Sequence, residues 1–193
     1  MSSIRSKIIV NPHADLGRAA QRSKELRSLL REYEGVDWTD TSYPSHAKEI
    51  ARQAAKEGYE LVIAAGGDGT AHEVINGIME VSSDRRPKLC VIPLGSGNDI
   101  SYAIGVDSDP AKALKHTLNG NIKRIDIGRF TDGMGRNGYF VNAIGIGFDT
   151  VVTIRSRRLT FLKGFLIYLG AVIQTIILNY DAPRMQVTTD LEN

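Results

Sequence analysis

The pentapeptide Gly66-Gly67-Asp68-Gly69-Thr70 sets three glycines, a carboxylate and a hydroxyl within five positions. Glycines in such a run accept positive φ and let the backbone come close to a ligand, turning N–H groups toward an anion. A phosphate chain suits that geometry. Asp68 would repel a phosphate on its own, so it belongs there only if a Mg²⁺ ion or a hydroxyl proton lies between the two. Thr70 is placed to cap the following helix or to hydrogen-bond a phosphate. In a composition like this one, the pentapeptide arises by chance only about 10⁻³ times per chain.

A second stretch, Gly95-Ser96-Gly97-Asn98-Asp99, repeats the theme with two glycines, a hydroxyl, a carboxamide and a carboxylate. On its own it reads as a helix start, since Asn and Asp are favoured N-caps. Beside the first glycine loop, it reads as part of a site. The hexamer Gly133-x-Gly135-x-x-Gly138 is different. A dinucleotide fingerprint follows a strand and opens a helix, whereas this one precedes a β pattern and fits a hairpin turn. No Gly-x-x-x-x-Gly-Lys phosphate loop occurs in the sequence. His13, His46, His72 and His116 lack the partner spacing of a metal site, and His46 fits the first turn of a helix. Glu73 stands three residues after Thr70, at capping-box spacing.

These residues need a scaffold. The apolar run Ile8-Ile9-Val10 predicts a buried strand, and Ala19, Leu26, Leu29, Leu30 and Tyr33 predict the helix after it, ended by Gly35. A short strand at 36–39 leads through a turn at 41–45 into a helix marked by Ala47, Ile50, Ala51, Ala54 and Ala55, closed by Gly58. A strand at 61–65, a helix at 70–81 and a strand at 89–92 follow. Strands separated by helix-sized crossovers imply an α/β fold with a parallel sheet and helices on both faces. In such sheets ligands sit at the carboxyl ends of the strands. Four loops are therefore expected on one edge: Asn11 to Asp15, Thr41-Ser42, Gly66 to Thr70 and Pro93 to Asp99.

After Gly120 the texture changes, and a boundary is expected there between an α/β domain at 1–120 and the start of a β-rich second domain at 121–193. Ile122, Ile125 and Ile127 alternate with polar residues, and a β pattern resumes at 139–146, which predicts antiparallel pairing. A strand is expected at 185–189. The stretch from about 159 to 179 is strongly apolar, but only 15 residues separate Lys163 from Asn179, short of the roughly 20 that a membrane span needs. It is read as a buried helix. Arg155, Arg157 and Arg158 precede it, so a contact with an anionic membrane surface stands as the secondary reading.

Composition removes several classes of function. With 24 basic and 22 acidic residues the formal net charge is +2, so no basic field proposes a nucleic-acid partner. One cysteine, Cys90, leaves neither an internal disulfide nor a cysteine cluster for zinc. A reducing cytoplasm fits, and the short apolar start resembles neither a signal peptide nor an anchor.

The motifs together resemble the diacylglycerol kinase catalytic domain family, which includes bacterial diacylglycerol kinases and sphingosine kinases. They are Ile8-Ile9-Val10-Asn11-Pro12, Thr41 with His46-Ala47, Gly66 to Thr70 with Glu73-Val74, Gly95 to Asp99, and Phe140-Val141-Asn142 with Gly145-x-Gly147-Phe148-Asp149. The resemblance implies an ATP-dependent lipid kinase, with diacylglycerol as acceptor and Mg²⁺ accompanying ATP. Nucleotide contacts would fall on Asn11, Thr41, Gly66, Gly67, Asp68, Gly69, Thr70 and Ser96, with Asp68 and Asp99 working near the phosphates and the lipid hydroxyl entering between domains. Three positions depart from the family pattern: Asp15 stands where glycine is usual, His72 where asparagine is usual, and Ser96 where threonine is common. Similar kinases continue through the rest of a lid domain that carries a catalytic glutamate. The 193 residues would then bind Mg–ATP weakly without phosphorylating diacylglycerol. NAD kinases share the Gly-Gly-Asp-Gly loop and are one rival, and a nucleotide-binding module without turnover is another.

Overall fold

The computed structural model describes residues 4–31, 33–119, 122–156 and 165–179. The chain divides into two compact units, 1–142 and 143–193. The boundary expected at Gly120 and the strand expected at 185–189 lie outside the described residues.

In the first unit, β1 (Ser6–Val10), β2 (Val36–Asp40), β3 (Leu61–Gly66) and β4 (Lys88–Pro93) form a parallel sheet in the order β2-β1-β3-β4. The helices are α1 (Ala19–Leu30), α2 (His46–Lys56), α3 (Asp68–Met79), α4 (Asp99–Ala103) and α5 (Pro110–Asn119). This is the expected α/β architecture. Alternate side chains of a strand point to opposite faces of the sheet, and the core divides accordingly. Ile8, Val10, Leu61, Ile63 and Ala65 pack with Leu26 of α1 and Leu114 of α5. Ile9, Val62 and Ala64 pack with Ala51 of α2 and with Val74 and Ile78 of α3. A strand covered on both faces needs an unbroken apolar run, as all of β3 provides. Ile63 is fully buried, so cutting it to alanine would cost about 2–5 kcal/mol.

Helices α2 and α3 lie close together. A Cβ on Gly77 would run into the Lys48 carbonyl, with the Ala51 methyl at 3.0 Å. Glu80, just past the end of α3, pairs with Lys48 at 2.6 Å and with Arg52 at 3.2 Å. The hydrogen bond from Lys48, reinforced by both cations, holds its carboxyl below the usual carboxylate range. Exposed pairs of this kind contribute little stability.

Three elements differ from the sequence expectation. Helix α3 starts at Asp68 rather than Thr70, because Gly67 is the residue that leaves the strand. The 122–127 segment is not strand. The hairpin consists of β5 (Gly128–Thr131) and β6 (Asn137–Phe140), and β6 stops well short of residue 146. Its turn contains Gly135 at φ +78, as expected of a hairpin rather than of a nucleotide fingerprint. Helix α5 had a readable start, since Asp109 accepts hydrogen bonds from the N–H groups of Ala111 and Lys112 ahead of Pro110 at the first helical position.

The second unit holds α6 (Phe148–Ser156) and α7 (Phe165–Asn179). Gly145 and Asp149 build the start of α6: the Asp149 carboxylate fills the space a Cβ at Gly145 would need, and Thr150 donates to the Gly145 carbonyl at 2.8 Å. The apolar stretch was expected as a buried helix. Within the described residues, α7 instead buries one side only, at Ala171 and Thr175, while Leu169, Ile173, Ile176, Ile177 and Leu178 are exposed. High hydropathy reports the side chains of a helix and says nothing about whether enough neighbours exist to cover it.

Candidate active site at the carboxyl edge of the sheet

The sheet order places β2 on one side of β1, and β3 followed by β4 on the other. Strand order therefore reverses between β1 and β3, the point where open α/β sheets form a crevice beyond their strand ends. Asn11 directly follows β1, and its N–H donates to the Ala65 carbonyl at 2.9 Å. Its side-chain amide crosses the same gap and donates to the hydroxyl of Thr70 at 3.0 Å. On its other side, the Asn11 carboxamide oxygen accepts from the N–H of His13 and shapes the β1 loop. Asn11 is thus a clasp between the first and third loops.

The glycines serve a purpose different from the one expected. None of Gly66, Gly67, Gly69, Gly95 and Gly97 has a positive φ; Gly67 is extended, with φ −94 and ψ −170. Their requirement is space. A Cβ at Gly66 would overlap the side chain of Thr70, and a Cβ at Gly67 would sit 3.2 Å from the Gly95 Cα. A Cβ at Gly95 would run into the Gly67 backbone, and one at Gly97 would lie 2.9 Å from an Asp68 carboxylate oxygen. Only Gly69 in the first loop faces open space. It opens at the N-terminal turn of α3, where unpaired N–H groups and the helix dipole favour an anion.

Asp68 ties the two glycine loops together. Its Oδ1 accepts a hydrogen bond from the N–H of Ile100 at 2.9 Å, in the first turn of α4. Asn98, in a left-handed conformation at φ 61, closes the β4–α4 loop on itself: it accepts from the Gly95 N–H at 3.0 Å and donates to the Gly95 carbonyl at 2.7 Å. Ser96 and Asp99 are exposed on that loop, whereas Thr41 and Thr70 are buried. Thr41 continues the sheet edge through its N–H to the Val10 carbonyl at 2.8 Å. The direct contacts thus join Asn11, Gly66, Gly67, Asp68 and Thr70 with Gly95 and Gly97. Thr41 extends the same edge one strand over.

One site-supporting residue had been read differently, and another does more than its reading said. Glu73 does not close a capping box with Thr70, which lies inside α3; its carboxylate accepts from the Ser45 N–H at 2.9 Å and fixes the β2–α2 loop. His46 does begin α2, and its Nδ1 accepts from the Ser42 N–H at 3.0 Å while its ring stacks on Tyr43. Asn76 was missed altogether. Its side chain exchanges two hydrogen bonds of 3.0 Å with the backbone of Tyr139, pairing α3 with β6 as a strand neighbour would. No local pattern announces such a contact across 63 residues. Asp15, at the usually glycine position, has φ 52 and ψ 45, which is why glycine suits it; Asp tolerates this region better than most residues. Its carboxylate pairs with Arg18 at 3.1 Å and Arg22 at 3.7 Å.

Among the described residues no group of three or more His, Cys, Asp or Glu is placed to hold a metal by itself. Asp68 has one carboxylate oxygen committed to the Ile100 N–H and the other beside Gly97, and Asp99 is exposed at the start of α4. Mg²⁺ is commonly held by one or two carboxylates plus substrate phosphates. A cavity of about 580 Å³ lies elsewhere in this unit, lined by residues including Ile78, Leu89, Arg124 and Ile127. It sits at the opposite end of β4 from the glycine loops and contains none of the residues singled out for chemistry.

The diacylglycerol kinase catalytic domain model matches residues 5–130. The chain belongs to that family. It is 37% identical over 173 residues to the diacylglycerol kinase of Bacillus subtilis, covering 86% of this chain and 54% of the relative. It is 36% identical over 153 residues to the diacylglycerol kinase of Staphylococcus aureus strain MRSA252, covering 77% and 45%. A crystal structure of a diacylglycerol kinase from Bacillus anthracis strain Sterne superposes with a TM-score of 0.58 at 28% identity, covering 66% of this chain and 46% of that one. The chain spans about half the length of the curated relatives it matches.

Proposed function

We propose that the protein acts as an ATP-dependent lipid kinase, moving the γ-phosphate of Mg–ATP to the hydroxyl of a lipid, with diacylglycerol as the acceptor. The observation that carries this reading is the mutual fit of the Gly66–Thr70 and Gly95–Asp99 loops at the strand-order reversal, in a chain of the diacylglycerol kinase catalytic family. Anion-binding N–H groups at the start of α3, open only at Gly69, would receive phosphate oxygens. The Asn11 carboxamide and the Ser96 hydroxyl would flank them, with Thr41 along the same edge. Asp68 and Asp99 would take the Mg²⁺ that accompanies ATP. In the transfer, the acceptor hydroxyl gives up its proton to a base or to water, its oxygen bonds to the γ-phosphorus, and the bridging oxygen departs with ADP. Such a step needs positioning and charge stabilisation more than covalent help, and loops fixed by packing against each other supply positioning.

The test uses labelled ATP, Mg²⁺ and diacylglycerol in mixed micelles, with the natural reading frame that contains this sequence, and NAD as the competing acceptor. Labelled phosphatidic acid supports the reading. Labelled NADP would assign the protein to the NAD kinase alternative, and Mg–ATP binding without transfer to any acceptor would make it a binding module.

A further inference from the structure

The cavity of about 580 Å³ in the first unit has an apolar floor and a charged rim. Among its lining residues, Ile75 and Ile78 are buried and Met79, Leu89 and Ile127 half-buried, whereas Arg86, Arg124 and Asp126 are exposed. Ile75, Ile78 and Met79 fall at i, i+3 and i+4, one face of α3. Leu89 lies near the start of β4, the edge strand of the sheet, and residues 124–127, which form no strand, supply the remaining wall. The volume falls within the roughly 300–1,000 Å³ of small-molecule sites, and an apolar wall with a few polar groups is the usual chemistry of such sites.

The rim selects the kind of molecule. Arg86 donates through its Nε to the Val81 carbonyl at 3.1 Å, which orients the planar guanidinium and leaves its two amino groups without a partner among the described residues. The side chain of Arg124 makes no hydrogen bond or ion pair with any described residue, and neither does that of Asp126. Two guanidinium groups and one carboxylate give the rim one positive charge in excess. A neutral ligand would use the floor and leave both cations unmet. A phosphate dianion would meet the cations but set its second charge against Asp126. A single carboxylate on an alkyl chain matches both halves: its two oxygens accept from a guanidinium in the paired geometry that arginine favours, and the floor takes its chain out of water.

We infer that this cavity is a binding site for a long-chain monocarboxylate, with the chain against Ile75, Ile78, Leu89 and Ile127 and the carboxylate held by Arg86 and Arg124. The site lies at the opposite ends of α3 and β4 from the glycine loops, and the inference does not rest on the kinase reading.

Equilibrium dialysis with radiolabelled dodecanoate, kept below its micelle concentration, tests it on the 193-residue protein and on the natural reading frame that contains this sequence. Both should bind saturably. Decanoate, two methylenes shorter, should bind about tenfold more weakly, and dodecanol, which lacks the charge, at least about tenfold more weakly. Arg86→Ala and Arg124→Ala should each lower dodecanoate affinity at least about fivefold, with Arg124→Lys recovering part of the loss. Asp126→Asn should raise it at least about twofold. Arg129→Ala, exposed on β5 and outside the cavity lining, should leave it unchanged. In isotopically labelled protein, dodecanoate should shift the amides of Ile78, Leu89 and Ile127 and leave those of Gly67 and Gly95 in place. Equal affinity for the alcohol or the shorter acid, arginine variants that bind as the wild type does, or no saturable binding would overturn the proposal. Binding by the 193-residue protein alone would overturn it too, because the rest of the natural protein would then cover the cavity. So would a dimer in sedimentation velocity that Arg124→Ala dissociates, which would assign this face to a second copy.

Discussion

At the carboxyl edge of the sheet, a Cβ added to Gly95 would collide with the Gly67 backbone, while at the hairpin turn a Cβ added to Gly133 or Gly135 meets nothing within 4 Å. Both regions are rich in glycine and both connect regular elements. In the first, two loops press so closely together at Gly67 and Gly95 that a Cβ at either would crowd the other's backbone, and Asp68 and Asn98 hydrogen-bond the result into shape. In the second, Gly135 of the turn serves a local backbone need, its positive φ, while Gly128 and Gly138 on the strands only make room for the rings of Phe140 and Phe130. Glycine spacing therefore marks a candidate site only when tertiary neighbours, rather than the turn itself, demand the missing side chain.

Gly95→Ala attacks the first region at its tightest point and carries the largest expected effect. The tightest partner is the Gly67 backbone, which cannot swing aside as a side chain could, and overpacking of this kind costs about 3 kcal/mol. Urea unfolding should show that loss, and calorimetry should show Mg–ATP affinity falling beyond detection. An alanine that leaves both unchanged would mean the two loops are free to part, and the contrast with the hairpin would disappear.

Asp68→Asn separates charge from shape. Asparagine keeps an oxygen for the Ile100 N–H, so stability should stay within about 1 kcal/mol of wild type. Phosphoryl transfer by the natural enzyme should drop at least ~100-fold, about 2.7 kcal/mol of barrier. Retention of more than a tenth of the turnover would remove the carboxylate from any central role and leave Asp68 as a loop tie.

Asn76→Ala probes the support behind the site. It removes both hydrogen bonds to Tyr139 and leaves the strand's polar groups half-buried without their partner, for an expected loss of about 2 kcal/mol in thermal or urea unfolding. Mg–ATP affinity should change little, because no phosphate-facing residue is touched. A large fall in affinity with small loss of stability would show that the hairpin shapes the nucleotide loops.

At the hairpin turn the effects should be smallest. Gly135→Ala places a methyl group in a left-handed backbone and should cost about 1 kcal/mol, and Gly133→Ala should stay within about 0.5 kcal/mol of wild type by urea unfolding. Neither should alter nucleotide affinity. If Gly133→Ala weakened ATP binding as strongly as Gly95→Ala, the distinction between a packed loop pair and a turn would fail.

Much of this was legible in the sequence, and what was not has physical reasons. Apolar runs and i, i+3, i+4 spacing sufficed for β1 to β4 and α1 to α3, because those elements are covered by the core and their patterns record it. The motifs at Gly66 and Gly95 were visible as compositional rarities. Their reason was not, because which atoms a Cβ at Gly67 would meet depends on β3 and β4 lying side by side, with Gly66 opposite Pro93. Glu73 and Asn76 act across 28 and 63 residues of sequence, beyond any local signal. The exposure of α7 was hidden for the converse reason: an apolar helix has the same sequence whether or not anything covers it.

The central claim is that the paired loops receive the phosphates of ATP, and amide chemical shifts test it most directly. On titrating isotopically labelled protein with Mg²⁺ and a slowly hydrolysed ATP analogue, the largest shifts should fall on the amides of Asn11, Gly67 to Thr70 and Gly95 to Asn98, saturating together. Shifts confined to the cavity lined by Ile78, Leu89, Arg124 and Ile127, with the loop amides unmoved at saturation, would contradict the account.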